Sequence, residues 1–125
     1  MNMKKILLIE DIEDNATLVR KVLTANGYEF LWARSAKDGL SVAKECQPDL
    51  ILLDLGLPDM DGQTISFFLR EEPSLSNIPL VAMTAWPEDT ALKMVEAYQL
   101  DAYIGKPFVI KKFLEKIESL LTRKS

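Results

Sequence analysis

The chain has 125 residues, 48% of them apolar and 27% charged, and 15 basic against 19 acidic side chains give a net charge of −4. That length and mixture suit one globular domain, and a chain of this size buries roughly two-thirds of the surface its unfolded form exposes, so neither a disulfide nor a structural metal is needed. The acidic balance argues against a nucleic-acid binder, and with histidine absent and Cys46 the sole cysteine, a zinc enzyme, a Ser-His-Asp hydrolase and any intramolecular disulfide are excluded.

The first apolar run, Ile6-Leu-Leu-Ile9, follows Met1-Asn-Met-Lys-Lys5 and is too short for a signal peptide or a membrane span. A cytoplasmic setting without membrane association is therefore expected. Ile12, Ala16, Val19 and Leu23 recur at helical spacing, and Asn26-Gly27 supplies a stop, because glycine accepts the left-handed conformation that ends a helix. A second run, Tyr28-Glu-Phe-Leu-Trp-Ala33, precedes Ser35-Ala-Lys-Asp38, which has capping-box form and opens a second helix. Cys46 lies near the end of that helix and reads as a small passive residue.

The third run, Leu50-Ile-Leu-Leu53, leads through a loop with Pro58 and Gly62 to a helix marked by Ile65, Phe68 and Leu69. The fourth, Leu80-Val-Ala-Met83, leads to Pro87-Glu88-Asp89, which suits a first helical turn. The fifth, Ala102-Tyr-Ile104, precedes a stripe of Ile110, Phe113, Leu114, Ile117, Leu120 and Leu121. Lys111-Lys112 and Arg123-Lys124 read as solvated helix faces. Strands alternating with helices imply an α/β fold, a parallel sheet with helices on both faces. A single domain over 1–125 with no output domain is expected.

In open α/β sheets, ligands bind outside the carboxyl ends of the strands. The residues that follow the apolar runs are Glu10 and Asp11 after the first, Asp54 after the third and Thr84 after the fourth, with Lys106 just past the fifth. The second run offers nothing comparable. Carboxylates about 4 Å apart at an effective dielectric of about 20 repel by roughly 4 kcal/mol per pair. Such a cluster needs a cation or raised pKa values. Hard oxygen ligands suit Mg²⁺, and one carboxylate then remains as a nucleophile toward phosphorus. Lys106 and Thr84 are placed to bind phosphoryl oxygens.

The sequence resembles a response-regulator receiver domain, the phosphoacceptor module of two-component signalling. The resemblance rests on Ile6-Leu-Leu-Ile-Glu-Asp11, Asp49-Leu-Ile-Leu-Leu-Asp54, Leu57-Pro-Asp-Met-Asp-Gly62, Thr84-Ala85 and Lys106-Pro107, and covers nearly the whole chain. It implies a flavodoxin-like, five-stranded parallel sheet of strand order 2-1-3-4-5. Asp54 would form the aspartyl phosphate, and Mg²⁺ would be held by Glu10, Asp11 and Asp54 with the backbone carbonyl of Gly56. Thr84 and Lys106 would bind the phosphoryl group, Tyr103 would be the aromatic that switches with Thr84, and the Lys106–Pro107 peptide would be cis.

The implied donor is a phosphohistidine on a sensor histidine kinase or a histidine phosphotransfer protein. The output would be altered binding of a downstream protein by the fourth helix, fifth strand and fifth helix, in a monomer or weak dimer. The chain would catalyse only its own phosphoryl transfer and dephosphorylation.

Two positions depart from the family pattern: Gln99 stands where glycine is common at a helix end, and bulky Trp86 stands two residues after Thr84. Other classes remain open. Aspartyl-phosphate phosphatases also place an Asp after a parallel strand, but usually carry a second Asp two residues later, where this chain has Gly56. A flavin carrier shares the topology, but the acidic loop Glu10-Asp-Ile-Glu-Asp14 would repel a flavin phosphate. A degenerate receiver used only for docking is disfavoured by the intact polar set.

Overall fold

Strands and helices alternate from the first apolar run to the last stripe, as the change of period requires. In the computed structural model, which describes residues 3–123, they are β1 (Lys5–Ile9), α1 (Glu13–Ala25), β2 (Glu29–Ala33), α2 (Ala36–Cys46), β3 (Leu50–Asp54), α3 (Gly62–Glu71), β4 (Leu80–Thr84), α4 (Glu88–Ala97), β5 (Ala102–Gly105) and α5 (Ile110–Arg123). The side chains of Arg123 and Lys124 lie outside the described residues. Among those residues no helix is long and apolar enough to cross a membrane.

All strands pair in parallel in the order β2-β1-β3-β4-β5, as the resemblance implied. Alternate side chains divide between two cores, because successive residues of a strand face opposite sides. Ile6 and Leu8 pack with Val19, Leu23, Phe113 and Ile117 under α1 and α5. Leu7 and Ile9 pack with Ala36, Ile65, Leu69 and Leu100 under the other helices. The central strands β3 and β4 are buried throughout, whereas the edge strands β2 and β5 are only partly covered. That is why the second run can carry the exposed Glu29.

The register brings the strand ends level. Ile9 pairs with Ala33 and Leu53, Asp54 with Met83, and Thr84 with Gly105. The polar residues that follow the runs therefore gather on one edge of the sheet. A close approach of α2 supports that edge. A Cβ at Gly39 would stand 2.5 Å from Ile9 Cδ1 and 2.8 Å from Ile9 Cγ1, so with any larger residue here the Ile9 side chain would have to shift.

Several local expectations change. Ile12 is 51% exposed, because it is the N-cap of α1 with extended backbone and stands outside the helical stripe. Phe68 is exposed beside Phe67, and Ile65, Ser66 and Leu69 form the buried face of α3 instead. Ile110 opens α5 and is exposed, while Phe113, Ile117 and Leu120 carry the core contact. Pro87 is the N-cap of α4 and not part of its first turn. Gln99 adopts φ +58°, the left-handed conformation that glycine would supply at a helix end.

Candidate functional site

Glu10 is the first residue past β1. Its amide donates to the Ala33 carbonyl at 3.0 Å, and its carbonyl accepts the Trp32 indole N–H at 2.7 Å. The side chain is buried. Its carboxylate accepts from the Ile12 amide at 3.2 Å and from Asn15 Nδ2 at 3.4 Å. Asp11 follows, half-buried. Asp54 ends β3 and is 8% exposed, and its Oδ1 accepts the Gly56 amide at 3.1 Å. One carboxylate oxygen from each of Glu10, Asp11 and Asp54 lies within 4.8 Å of the others.

A cation from the far side of the sheet enters this cluster. Lys106 Nζ lies 3.2 Å from Asp54 Oδ1 and 3.5 Å from Glu10 Oε1. The Lys106–Pro107 peptide is cis, and the Lys106 amide donates to the Thr84 carbonyl at 2.8 Å. Thr84 ends β4, is buried, and accepts the Trp86 amide on Oγ1 at 3.0 Å.

The repulsion anticipated among these acids is present but partly offset. Burial, then the hydrogen bond to Asp54 and its charge, push the Glu10 carboxyl above its ordinary value of 4.5, against the Ile12 N–H and the Lys106 ammonium. One ammonium does not neutralise three carboxylates at this spacing. The donors are hard oxygens and partly buried, and their surplus negative charge fits a small divalent cation with oxygen ligands. Residues present therefore fit Mg²⁺.

Tyr103 is not gathered into the cluster. It lies opposite Ala82 in β4, and its hydroxyl donates to Glu88 Oε2 on α4 at 3.5 Å. The Lys116 ammonium stands 5.7 Å from the ring centroid. Partial burial, then the Glu88 charge and hydrogen bond, raise the phenol above its ordinary value.

Sequence reasoning missed the loop acids that hold this edge in place. Asp59 accepts the Ala36 amide at 3.0 Å and the Lys37 amide at 3.2 Å, capping α2 from the loop after β3. Those N–H groups hold its carboxyl below the ordinary 3.8. Asp61 caps α3 by accepting the Thr64 amide at 2.8 Å. The Asp61 cap was legible, since an Asp directly before a helix is the usual N-cap. The Asp59 cap crosses between two elements and leaves no local pattern.

Residues 6–118 match the family model described as the response regulator receiver domain. The chain belongs to that family. The polar-differentiation response regulator DivK of Brucella ovis is 36% identical to this receiver over 118 residues, covering 94% of this chain and 96% of the relative. A putative response regulator from Chloroflexus aurantiacus J-10-fl superposes with a TM-score of 0.91 at 26% identity, covering 98% of this chain and 100% of the other.

The receiver domain of a sensor histidine kinase from Pseudomonas aeruginosa PAO1, with a magnesium ion coordinated in its active site cleft, has a TM-score of 0.84 at 25% identity, covering 96% and 98%. Receivers are signalling switches and not classical enzymes, and they interact with histidine kinases or phosphotransfer proteins.

Proposed function

We propose that this receiver accepts a phosphoryl group on Asp54 from a phosphohistidine and thereby changes its affinity for a downstream protein. The observation that carries this reading is the convergence of Glu10, Asp11 and Asp54 oxygens within 4.8 Å, with Lys106 Nζ 3.2 Å from Asp54 Oδ1. A carboxylate oxygen of Asp54 attacks phosphorus, the P–N bond to histidine breaks, and its electron pair returns to the imidazole. Transfer of this kind needs positioning and charge stabilisation more than covalent help.

Lys106 and the Gly56 amide both donate to Asp54 Oδ1, which fixes the carboxylate for attack. Mg²⁺ bound by Glu10, Asp11, Asp54 and the Gly56 carbonyl would offset charge on the transferring group. Lys106 and the Thr84 hydroxyl then bind phosphoryl oxygens. Hydrolysis of the aspartyl phosphate by water returns the chain to its starting state.

The added negative charge draws Thr84 and Lys106, and Tyr103 exchanges its Glu88 contact for an inward position. Output falls on the face made by α4, β5 and α5. A groove of about 450 Å³ there, lined in part by Glu88, Tyr103, Phe108, Lys112 and Lys116, supports that choice. A coupling of about 1–3 kcal/mol is enough to bias such a two-state population. The partners are a sensor histidine kinase or phosphotransfer protein and a downstream protein. The setting is the cytoplasm, and residues 6–118 act as one receiver domain.

Incubation with acetyl phosphate, with and without Mg²⁺, followed by intact-mass detection tests the chemistry. A phosphoryl adduct that needs Mg²⁺ and disappears in Asp54→Asn is expected; an adduct that persists in that variant sinks the reading. Thr84→Ala separates chemistry from switching. It is expected to keep the beryllofluoride complex at Asp54 while losing the NMR shifts at Tyr103.

A further inference from the structure

The main chain of Glu10 is fixed at both polar groups by β2, the strand that contributes no side chain to the acidic cluster. The Glu10 amide donates to the Ala33 carbonyl at 3.0 Å, and the Glu10 carbonyl accepts the Trp32 indole N–H at 2.7 Å. The second bond has a geometric consequence. The peptide unit is planar, so the direction of the Glu10 carbonyl fixes where the next Cα stands. That Cα belongs to Asp11. Rotation about the Glu10 Cα–C bond would release the carbonyl and swing Asp11 away from Glu10 and Asp54, whose oxygens it now meets within 4.8 Å.

The Trp32 ring is itself held on two sides. It packs against the core under α1 and α5, and the Arg34 guanidinium lies 4.8 Å from its centroid. The donor is therefore placed by packing of the half-buried ring against that core. Glu10 Oε2 also accepts the Ile12 amide at 3.2 Å, so the turn from Glu10 to Ile12 is anchored at its start by Trp32 and across its span by Glu10.

We propose that Trp32 is a positioning residue for the divalent-cation site: its indole N–H sets the Glu10–Asp11 peptide so that both carboxylates face Asp54. The inference rests on reading the cluster as a cation site. Hydrogen bonds one layer out from metal ligands commonly change metal affinity 10- to 100-fold. The loss on removing this bond is expected at about the lower end of that range, because the Ala33 bond to the Glu10 amide remains.

Trp32→Phe keeps an aromatic ring and removes the donor. Mg²⁺ titration of wild type and variant is followed by the NMR signal of the Gly56 amide, which donates to Asp54. The expected result is a Kd about tenfold weaker in Trp32→Phe. Phe30→Leu, a packing change on the same strand, is expected to lower stability in urea while leaving the Mg²⁺ Kd at the wild-type value. In metal-free wild type, the Trp32 indole proton is expected to exchange slowly with solvent, a measurement that needs no variant.

Equal Mg²⁺ affinity in Trp32→Phe, equal weakening by Phe30→Leu, or rapid exchange of the indole proton overturns the inference and leaves the cation site standing. Absence of saturable Mg²⁺ binding in wild type sinks the cation site itself, and this inference with it.

Discussion

The Lys106 ammonium is shared between two carboxylates from different strands, 3.2 Å from Asp54 Oδ1 and 3.5 Å from Glu10 Oε1. One cation from the β5 end thus ties together the ends of β1 and β3. Replacing it by Lys106→Met keeps the stem and leaves the acids facing one another. Metal-free stability is expected to fall by about 1–2 kcal/mol, below the figure for a fully buried pair because the Lys106 side chain is partly exposed. Phosphorylation by acetyl phosphate should slow by at least about tenfold, since a donor to the transferring oxygens is gone. Urea unfolding without Mg²⁺ and the rate of adduct formation measure the two effects; an unchanged rate removes Lys106 from the chemistry.

How much of this was legible beforehand differs by residue. Glu10, Asp11, Asp54, Thr84 and Lys106 could be placed on one edge because each follows a short apolar run, and a parallel sheet brings such positions together. The run length also located β3 and β4, though Asp54 and Thr84 prove to be the last strand residues and not the first loop residues. Ile12, Phe68 and Ile110 were misplaced because apolarity at helical spacing does not reveal where a helix begins or which residue lies just off its buried face. Bonds between distant elements, such as Trp32 to Glu10 or Asp59 to α2, were invisible. They depend on strand order and loop path, which composition does not encode locally.

Arg70 is the clearest of these long-range ties. Its guanidinium donates to the Ser76, Ile78 and Gln99 carbonyls and, at 2.8 Å, to Asp101 Oδ2, which also accepts the Leu80 amide at 2.8 Å. One side chain of α3 therefore joins the entry of β4 to the turn between α4 and β5. The left-handed Gln99 presents its carbonyl to both Nε and Nη2. Lysine cannot reproduce that planar fork. Arg70→Lys is expected to cost about 2–3 kcal/mol, because several carbonyls lose their donor and hydrogen bonds to charged groups are the stronger ones. Chemical denaturation checks the value; a change under about 0.5 kcal/mol, the range of ordinary surface substitutions, would show that water replaces the fork.

Asp59 gives the fold a pH dependence of predictable sign. The Ala36 N–H first, and then the Lys37 N–H, stabilise its charged form in the folded chain and hold the carboxyl below its ordinary 3.8. A depressed acid contributes stability that is complete above its unfolded value and disappears as pH falls through the folded value. The loss therefore begins near 3.8 and continues below it. Asp59→Ala removes both cap bonds and is expected to lower stability by about 1 kcal/mol at pH 7. The gap between wild type and variant should then close as the solution is acidified below 3.8. Comparing the two chains cancels the titration of other carboxylates, which they share. Asp59→Asn keeps an acceptor without the charge, so it should sit between them at pH 7 and show a flatter acid limb. Urea midpoints of the three proteins at several pH values decide it: a gap that stays constant through the acid range would assign the cap to hydrogen-bond geometry alone and remove charge from its stabilising role.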